Sequence, residues 1–209
     1  TRKESSAASD VYKRQPFAMT LEGDFDIRRF ENTLKNMIKR HESFRTSFVM
    51  IDGEVMQQIE HEIDFQVAYS DIGKESAEEK IKSFIRPFHL EKAPLLRAEV
   101  VKVNEREHLL MFDMHHIISD GVSTDIFVQE MGALYEGKSL EPFDIQYKDY
   151  AEWENSHARS DELKRQEEYW LKTYKGDIPV LDLPTDHKRP LTKSSEGDLS
   201  LIHISEPTR

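Results

Sequence analysis

Polar and apolar residues alternate along several short stretches of the chain, and a repeat of two residues predicts β-strands. The first such stretch covers 17–21, and a second covers 44–50. An Asp-Gly pair at 52–53 follows the second stretch and predicts a hairpin turn into a returning strand. Longer apolar runs at 96–103 and 108–114 are joined by a short polar turn, so they predict a second hairpin with a buried strand.

Other stretches place apolar residues three or four positions apart, which is typical of a helix with one buried face. The clearest example has a stripe that includes Phe30, Leu34 and Met37. Helices are predicted to begin at or near Asp26, Lys74, Asp120, Tyr147 and Asp161. A further short strand is predicted at 65–67. The pattern therefore mixes short strands with amphipathic helices.

The composition limits the classes of protein that the chain can represent. Its 209 residues are enough for one large domain or two small ones. No apolar run approaches the roughly 18 residues that a membrane-spanning helix needs. The absence of cysteine excludes disulfides and thiolate chemistry. A net charge of −11 argues against nonspecific binding to nucleic acid.

Candidate chemistry lies where the strand at 108–114 is followed by the helix that begins at Asp120. The residues between them include the pair His115 and His116, and Gly121 follows the aspartate. Successive side chains of a strand point to opposite faces, which weakens any proposal that both histidines bind one metal. A purely structural interpretation is also available, in which Asp120 caps the helix and the histidines are core groups.

The order His-His-x-x-x-Asp-Gly at a strand-to-helix junction resembles the signature of the condensation domains of nonribosomal peptide synthetases, within the chloramphenicol-acetyltransferase-like superfamily. Three further stretches resemble motifs of the same family. They are Arg-His-Glu-Ser-Phe-Arg-Thr at 40–46, Tyr-Lys-Asp-Tyr-Ala-Glu-Trp at 147–153 and Leu-Pro-Thr-Asp-His-Lys-Arg-Pro at 183–190. His89 stands where the family commonly has aspartate, so we assign it no catalytic role. The usual first motif of the family is absent.

This resemblance, together with the pattern of strands and helices, implies an α/β (α+β) fold of the chloramphenicol-acetyltransferase-like kind. We expect a half-domain built as a two-layer sandwich, in which helices cover a mixed, mostly antiparallel sheet that includes the stretch at 44–50. Residues 16–200 are expected to form the N-terminal half of a condensation domain. Residues 1–15 and 201–209 look like translated adapter sequence, and we expect both to be non-native or disordered tails.

The resemblance also implies roles for single residues. His116 is the expected catalytic residue, either as a base that removes a proton from an amine or as a group that holds the amine and stabilises charge. The residues expected to shape the active site are His115, Gly121 and Ser123. Gly121 would allow a close approach of the backbone. A buried ion pair between Asp120 and Arg45 would hold the loop, and no metal is implied.

The family forms peptide bonds between an acyl or peptidyl thioester and an aminoacyl thioester. The resemblance implies that both substrates arrive on phosphopantetheine arms of upstream and downstream peptidyl carrier proteins, and that no cofactor is bound directly. It also implies an adjacent adenylation domain and a cytoplasmic location. Binding to nucleic acid or membrane is not expected, because of the net charge and the lack of a long apolar run. Because the family uses two halves around a shared tunnel, we expect the missing C-terminal half to be needed and this chain alone to be inactive.

Two alternative functions share parts of this pattern. An epimerisation domain has the same signature and reconfigures one thioester, but its signature usually continues with Ser-Trp-Arg. Here Ser123 is followed by Thr124, Asp125 and Ile126, which disfavours that alternative. The chain could also be a noncatalytic docking module for carrier proteins, although the intact His-His-x-x-x-Asp-Gly sequence argues against loss of the chemistry by mutation.

Overall fold

The computed structural model of the protein describes residues 17–72, 76–179, 181 and 184. The strands in this part of the chain are β1 (Phe17–Glu22), β2 (Thr46–Ile51), β3 (Glu54–Ile59), β4 (Ala68–Asp71), β5 (Leu96–Asn104) and β6 (Glu107–Met114). The α-helices are α1 (Ile27–Arg40), α2 (Ala77–Phe84), α3 (Gly121–Tyr135), α4 (Tyr147–Glu154) and α5 (His157–Thr173). The predicted tails, 1–15 and 201–209, lie outside the described residues, and so does most of the motif at 183–190.

Four of the strands form one sheet in the order β1-β6-β5-β4. β6 pairs antiparallel with both β1 and β5, whereas β4 pairs parallel with β5. The sheet is therefore mixed and mostly antiparallel, as predicted. β2 and β3 form a separate two-stranded ribbon, joined by the Asp-Gly turn that the sequence predicts.

β5 and β6 are buried on both faces because helices lie on both sides of the sheet. On one face, Leu110 and Phe112 pack into the main core with α1 and α3. On the other face, Leu109 and Met111 pack with Phe84 of α2. Because successive side chains of β6 point to opposite faces, its one apolar run contributes to an apolar cluster on each face of the sheet. The two main layers of the fold are the sheet and the pair of helices α1 and α3.

The stretch at 44–50 was predicted to be a strand of the main sheet, and this prediction is wrong in two respects. The chain forms a 3-10 turn over Glu42–Arg45 and becomes a strand only from Thr46. That strand belongs to the ribbon and does not join β6. The later start of the strand follows from the burial of Phe44. Its ring packs 5.7 Å from the Phe127 ring of α3, so the chain contacts α3 before the strand begins.

Other element boundaries also differ from the sequence prediction, and the helix predicted from Asp161 already begins at His157. Phe65 and Val67 are buried in the core as predicted for strand residues, but the paired strand is the segment that follows them, β4. The helix predicted from Lys74 corresponds to α2, which begins only at Ala77. Ser76 caps it in a capping box, in which its side chain accepts a hydrogen bond from the N–H of Glu79 at 3.2 Å. Among the described residues, no helix is both long enough and apolar enough to cross a membrane.

Candidate active site

The candidate site is the loop that connects β6 to α3. The N–H of His115 donates to the carbonyl of Leu95 at 3.0 Å, so strand pairing continues for one residue beyond β6. His115 is 2% exposed, whereas His116 is exposed to solvent. The two side chains therefore have opposite environments, as the alternation of a strand predicts, and only His116 is open to a substrate.

Hydrogen bonds assign the two imidazole rings to different tautomers. Nδ1 of His115 lies 3.0 Å from the N–H of Ile117, and it accepts that bond, so the hydrogen of a neutral His115 is on Nε2. Nδ1 of His116 lies 2.5 Å from the carbonyl oxygen of Ser119. A carbonyl can only accept, so Nδ1 of His116 donates, and the lone pair of the neutral ring is on Nε2. Of the two rings, His116 is the one with a basic Nε2.

An open groove of about 460 Å³ lies beside His116, and we call it the His116 groove. Thr46, Phe48 and Gln57 of the β2–β3 ribbon line it together with the loop, and Tyr147 at the start of α4 completes it. The groove thus combines apolar surface with a few polar groups, which is typical of a site for an organic substrate.

Asp120 caps α3. Its Oδ1 accepts the N–H of Ser123 at 2.8 Å and the Ser123 hydroxyl at 2.8 Å. The Ser123 hydroxyl in turn accepts the N–H of Asp120 at 2.6 Å. The bond from the Ser123 N–H, followed by that from its hydroxyl and by the charge of His116, lowers the pKa of Asp120 below its ordinary value. Asp120 and Ser123 therefore fix the start of the helix next to His116.

The predicted ion pair between Arg45 and Asp120 is wrong. Arg45 donates from Nε to the carbonyl of Ile38 at 3.1 Å and from Nη1 to the carbonyls of Glu60 and His61. The physical reason is the topology, because β2 pairs with β3 and does not lie beside β6. Arg45 consequently ties the end of α1 to the end of β3.

We expect Arg45→Ala to lower the free energy of unfolding by about 1–3 kcal/mol, because it leaves partly buried carbonyls without donors. Arg45→Lys should restore little of this loss, since an ammonium cannot reproduce the fork of donors. Arg45 and Asp120 share no hydrogen-bond partner, so the losses of Arg45→Ala and Asp120→Ala should add in the double variant. Urea unfolding measures the free energy of unfolding of each variant. A double variant that is no less stable than the less stable single variant would contradict additivity and support an ion pair between Arg45 and Asp120.

The cap of α3 should depend on pH in one direction. The folded state lowers the pKa of Asp120, so its contribution is present above the ordinary aspartate value of about 3.9 and is lost as the pH falls through the lowered value. Asp120→Asn keeps a capping oxygen that does not titrate. The Tm of the wild type relative to Asp120→Asn should therefore be constant near neutral pH and fall in acid. A difference that is independent of pH would contradict this account.

The structure does not support a close backbone approach at Gly121. A Cβ added there would meet nothing within 4 Å, and the φ angle is not positive. Gly121 is the first residue of α3, and its role in shaping the active site stays a prediction. No group of three or more histidine, aspartate or glutamate side chains in this part of the chain is placed to hold a metal ion.

The motif that begins at Arg40 connects α1 to α3. Nε and Nη2 of Arg40 donate to the two carboxylate oxygens of Glu130 at 3.1 Å each, and Nε2 of His41 lies 2.6 Å from Glu130 Oε2. Burial raises the pKa of Glu130, but the bonds from Arg40 and His41 outweigh it and lower that pKa overall. These contacts hold α3 against α1, and with it the end of the loop that connects β6 to α3.

Sequence reasoning missed two parts of the site. The ribbon residues Thr46, Phe48 and Gln57 carry no motif of their own, and only the folded hairpin brings them to His116. Tyr147 is 62% exposed and lines the groove, although it was not predicted to belong to the site. Its place at the head of the Tyr-x-Asp-Tyr motif was the one available sign of such a role.

Comparison with known proteins gives sequence relatives over almost the whole chain. The sequence model of a family described as the condensation domain matches residues 3–209. Bacitracin synthase 1 from Bacillus licheniformis is 88% identical over 204 residues, which cover 98% of this chain and 4% of that protein. Bacitracin synthase 3 from the same organism is 57% identical over 193 residues, covering 92% and 3%. The chain thus spans a small part of the length of these curated relatives.

Solved structures share the fold. The X-domain from teicoplanin biosynthesis superposes with a TM-score of 0.72 and 25% identity, covering 85% of this chain and 42% of that one. The epimerization domain from the third module of tyrocidine synthetase B gives a TM-score of 0.72 and 22% identity, covering 88% and 44%. Because an epimerization domain has the same fold, the fold alone does not separate one activity of such domains from another.

Proposed function

Because the chain belongs to the condensation domain family, we propose that it carries the His116 part of an active site that forms a peptide bond. The substrates are an acyl or peptidyl thioester and an aminoacyl thioester, each held on the phosphopantetheine arm of a carrier protein. The single observation that carries the proposal is the hydrogen bond from Nδ1 of His116 to the Ser119 carbonyl, which puts the lone pair of the neutral ring on Nε2 in a residue that lines the groove.

The proposed reaction balances as an acyl transfer. The amine nitrogen attacks the thioester carbonyl carbon, a C–N bond forms, and the C–S bond breaks. The amine must lose a proton during this step, and Nε2 of His116 accepts it. The departing sulfur takes this proton back from Nε2 of His116 and leaves as the free thiol of the donor arm, which regenerates the neutral ring. Nδ1 keeps its bond to the Ser119 carbonyl throughout, which also stabilises the charged ring.

His115 and Ser123 have supporting roles in this proposal. His115 is buried and accepts the N–H of Ile117, so it sets the path of the loop without reaching the substrate. Ser123 acts through the cap on Asp120. The site therefore needs one reacting side chain from this chain and a rigid loop to hold it.

We further propose that residues 16–200 are the N-terminal half of the condensation domain. The solved X-domain chain is more than twice as long as the part that this chain covers, which leaves room for a second half with the other wall of the tunnel. The expected partners are this second half, the upstream and downstream peptidyl carrier proteins, and an adjacent adenylation domain. The similarity to bacitracin synthase 1 supports this setting.

Condensation is favoured over the two alternatives by particular residues. After Ser123 the chain continues with Thr124, Asp125 and Ile126, in place of the Ser-Trp-Arg that epimerisation domains usually have. An accessible His116 with a basic Nε2 is more than a noncatalytic docking module needs.

Reconstitution with two loaded carrier proteins tests the proposed function. The complete domain should transfer the donor acyl group to the amine on the acceptor carrier, and mass spectrometry of the acceptor should show the longer thioester. The 209-residue chain should give no such product. An acceptor that stays unchanged in the presence of the complete domain and both loaded carriers would contradict the proposal.

A further inference from the structure

The ring of His116 is held by the loop that carries it. Its Nδ1 hydrogen goes to the carbonyl oxygen of Ser119 at 2.5 Å, so the position of that carbonyl fixes both the tautomer and the tilt of the ring. A change that moves the Ser119 carbonyl therefore changes which nitrogen of the neutral His116 ring carries the hydrogen.

Ser119 is anchored by its own side chain. The residue is 7% exposed, and its hydroxyl donates to the carbonyl oxygen of His115 at 3.2 Å. The same carbonyl accepts the N–H of Ile118 at 3.1 Å, which closes a turn between the strand and Ser119. The hydroxyl thus connects the buried end of the strand to the carbonyl that holds His116. A buried hydroxyl is costly to leave without a partner, which favours this single position.

The negative charge of Asp120 does not select the tautomer of His116. Asp120 attracts His116 electrostatically, but its carboxylate is bonded to Ser123. Such an attraction favours a positive ring without selecting the nitrogen that carries the hydrogen. A hydrogen bond from Nδ1 to a fixed carbonyl does select it.

We propose that Ser119 is the positioning residue for His116: its hydroxyl fixes the Ser119 carbonyl, which keeps the hydrogen of the neutral imidazole on Nδ1 and the lone pair on Nε2. Ser119 transfers no proton and acts only through the ring. The kinetic consequence rests on the proposed function, whereas the tautomer is a property of this chain alone.

Nitrogen NMR of the histidine rings tests the proposal in the 209-residue chain. At a pH where His116 is neutral, the wild type should show the hydrogen on Nδ1. Ser119→Ala should give a mixture of the two tautomers, because the carbonyl is no longer tied to the strand. Ser119→Thr keeps the hydroxyl, and its added methyl can point into the groove that Ser119 borders, so it should retain the wild-type tautomer.

Two further variants keep the test decisive. Ser119→Cys has nearly the volume of serine but only a weak donor, so it serves in place of the alanine variant if that variant does not fold. Ser83→Ala removes a similar hydroxyl-to-carbonyl bond, to Lys80 at 2.9 Å, on the opposite face of the sheet, and should leave the His116 tautomer unchanged. A wild-type tautomer in folded Ser119→Ala or Ser119→Cys overturns the proposal, whatever the activity.

Kinetics of the complete domain provide the second readout. Ser119→Ala should lower kcat roughly ten-fold, a part of what a positioned base contributes, with KM unchanged and with recovery in Ser119→Thr. A rise in KM with kcat unchanged would overturn the positioning role. If the wild-type domain forms no amide, the proposed function fails, but the NMR result still decides whether Ser119 sets the tautomer.

Discussion

His116→Ala in the complete condensation domain is expected to lower the rate of amide formation by roughly 100- to 10,000-fold, the range that a positioned acid–base group contributes. In the proposed mechanism the loss is this large because the variant removes the nitrogen that takes the amine proton. His116 is exposed, so its removal should leave the fold intact. Mass spectrometry of the acceptor carrier at timed intervals measures the rate.

A matched variant separates this effect from a general loss of histidine. His89 is also exposed and lies on a different cavity, so His89→Ala should keep the wild-type rate. Thermal unfolding should give the same Tm for His116→Ala as for the wild type. Wild-type product levels from a folded His116→Ala domain would remove His116 from the mechanism.

Phe112→Ala should cause the largest loss of stability, about 3–5 kcal/mol, as is usual when a buried aromatic ring is truncated. Phe112 is 2% exposed, and its ring lies 5.0 Å from that of Phe17, 5.8 Å from that of Phe30 and 5.5 Å from that of Phe127. The ring therefore fills the point where β1, α1 and α3 meet on the sheet. Removing it leaves a cavity that these three elements border, and no single one of them can close it.

Urea unfolding of the 209-residue chain, followed by circular dichroism, measures this loss. Met50→Ala is the control, because Met50 is 65% exposed on the ribbon and its truncation should change stability by less than about 0.5 kcal/mol. A loss below about 1 kcal/mol for Phe112→Ala would mean that the core around β6 is loosely packed or assembled differently.

Local pattern was enough to predict most of the main sheet and its helices. β5 and β6 carry long apolar runs, and the stripe around Leu34 has one face that can only be buried. The ribbon was placed wrongly because a repeat of two residues identifies a strand but does not name its partner. The turn at 52–53 pairs β2 with β3 locally, and burial of Phe44 on α3 then keeps them away from β6.

The candidate site, too, could be predicted only in part from the sequence. Alternation along the strand predicted that His115 and His116 point to opposite faces. The tautomers could not be predicted, because they depend on which backbone groups of the turn reach each ring. The predicted partner of Arg45 was wrong for a related reason. The motif identifies the arginine, but the groups that accept its hydrogen bonds depend on where the strand packs.

One reaction in deuterated water tests the central claim most directly. The complete domain is mixed with both loaded carriers, and the masses of the two carriers are followed together. Condensation predicts that the donor carrier loses its acyl group, that the acceptor carrier gains it, and that no deuterium enters the α-carbon of the donor. A donor that gains deuterium at the α-carbon while the acceptor stays unchanged would contradict the account and identify the domain as one that epimerises.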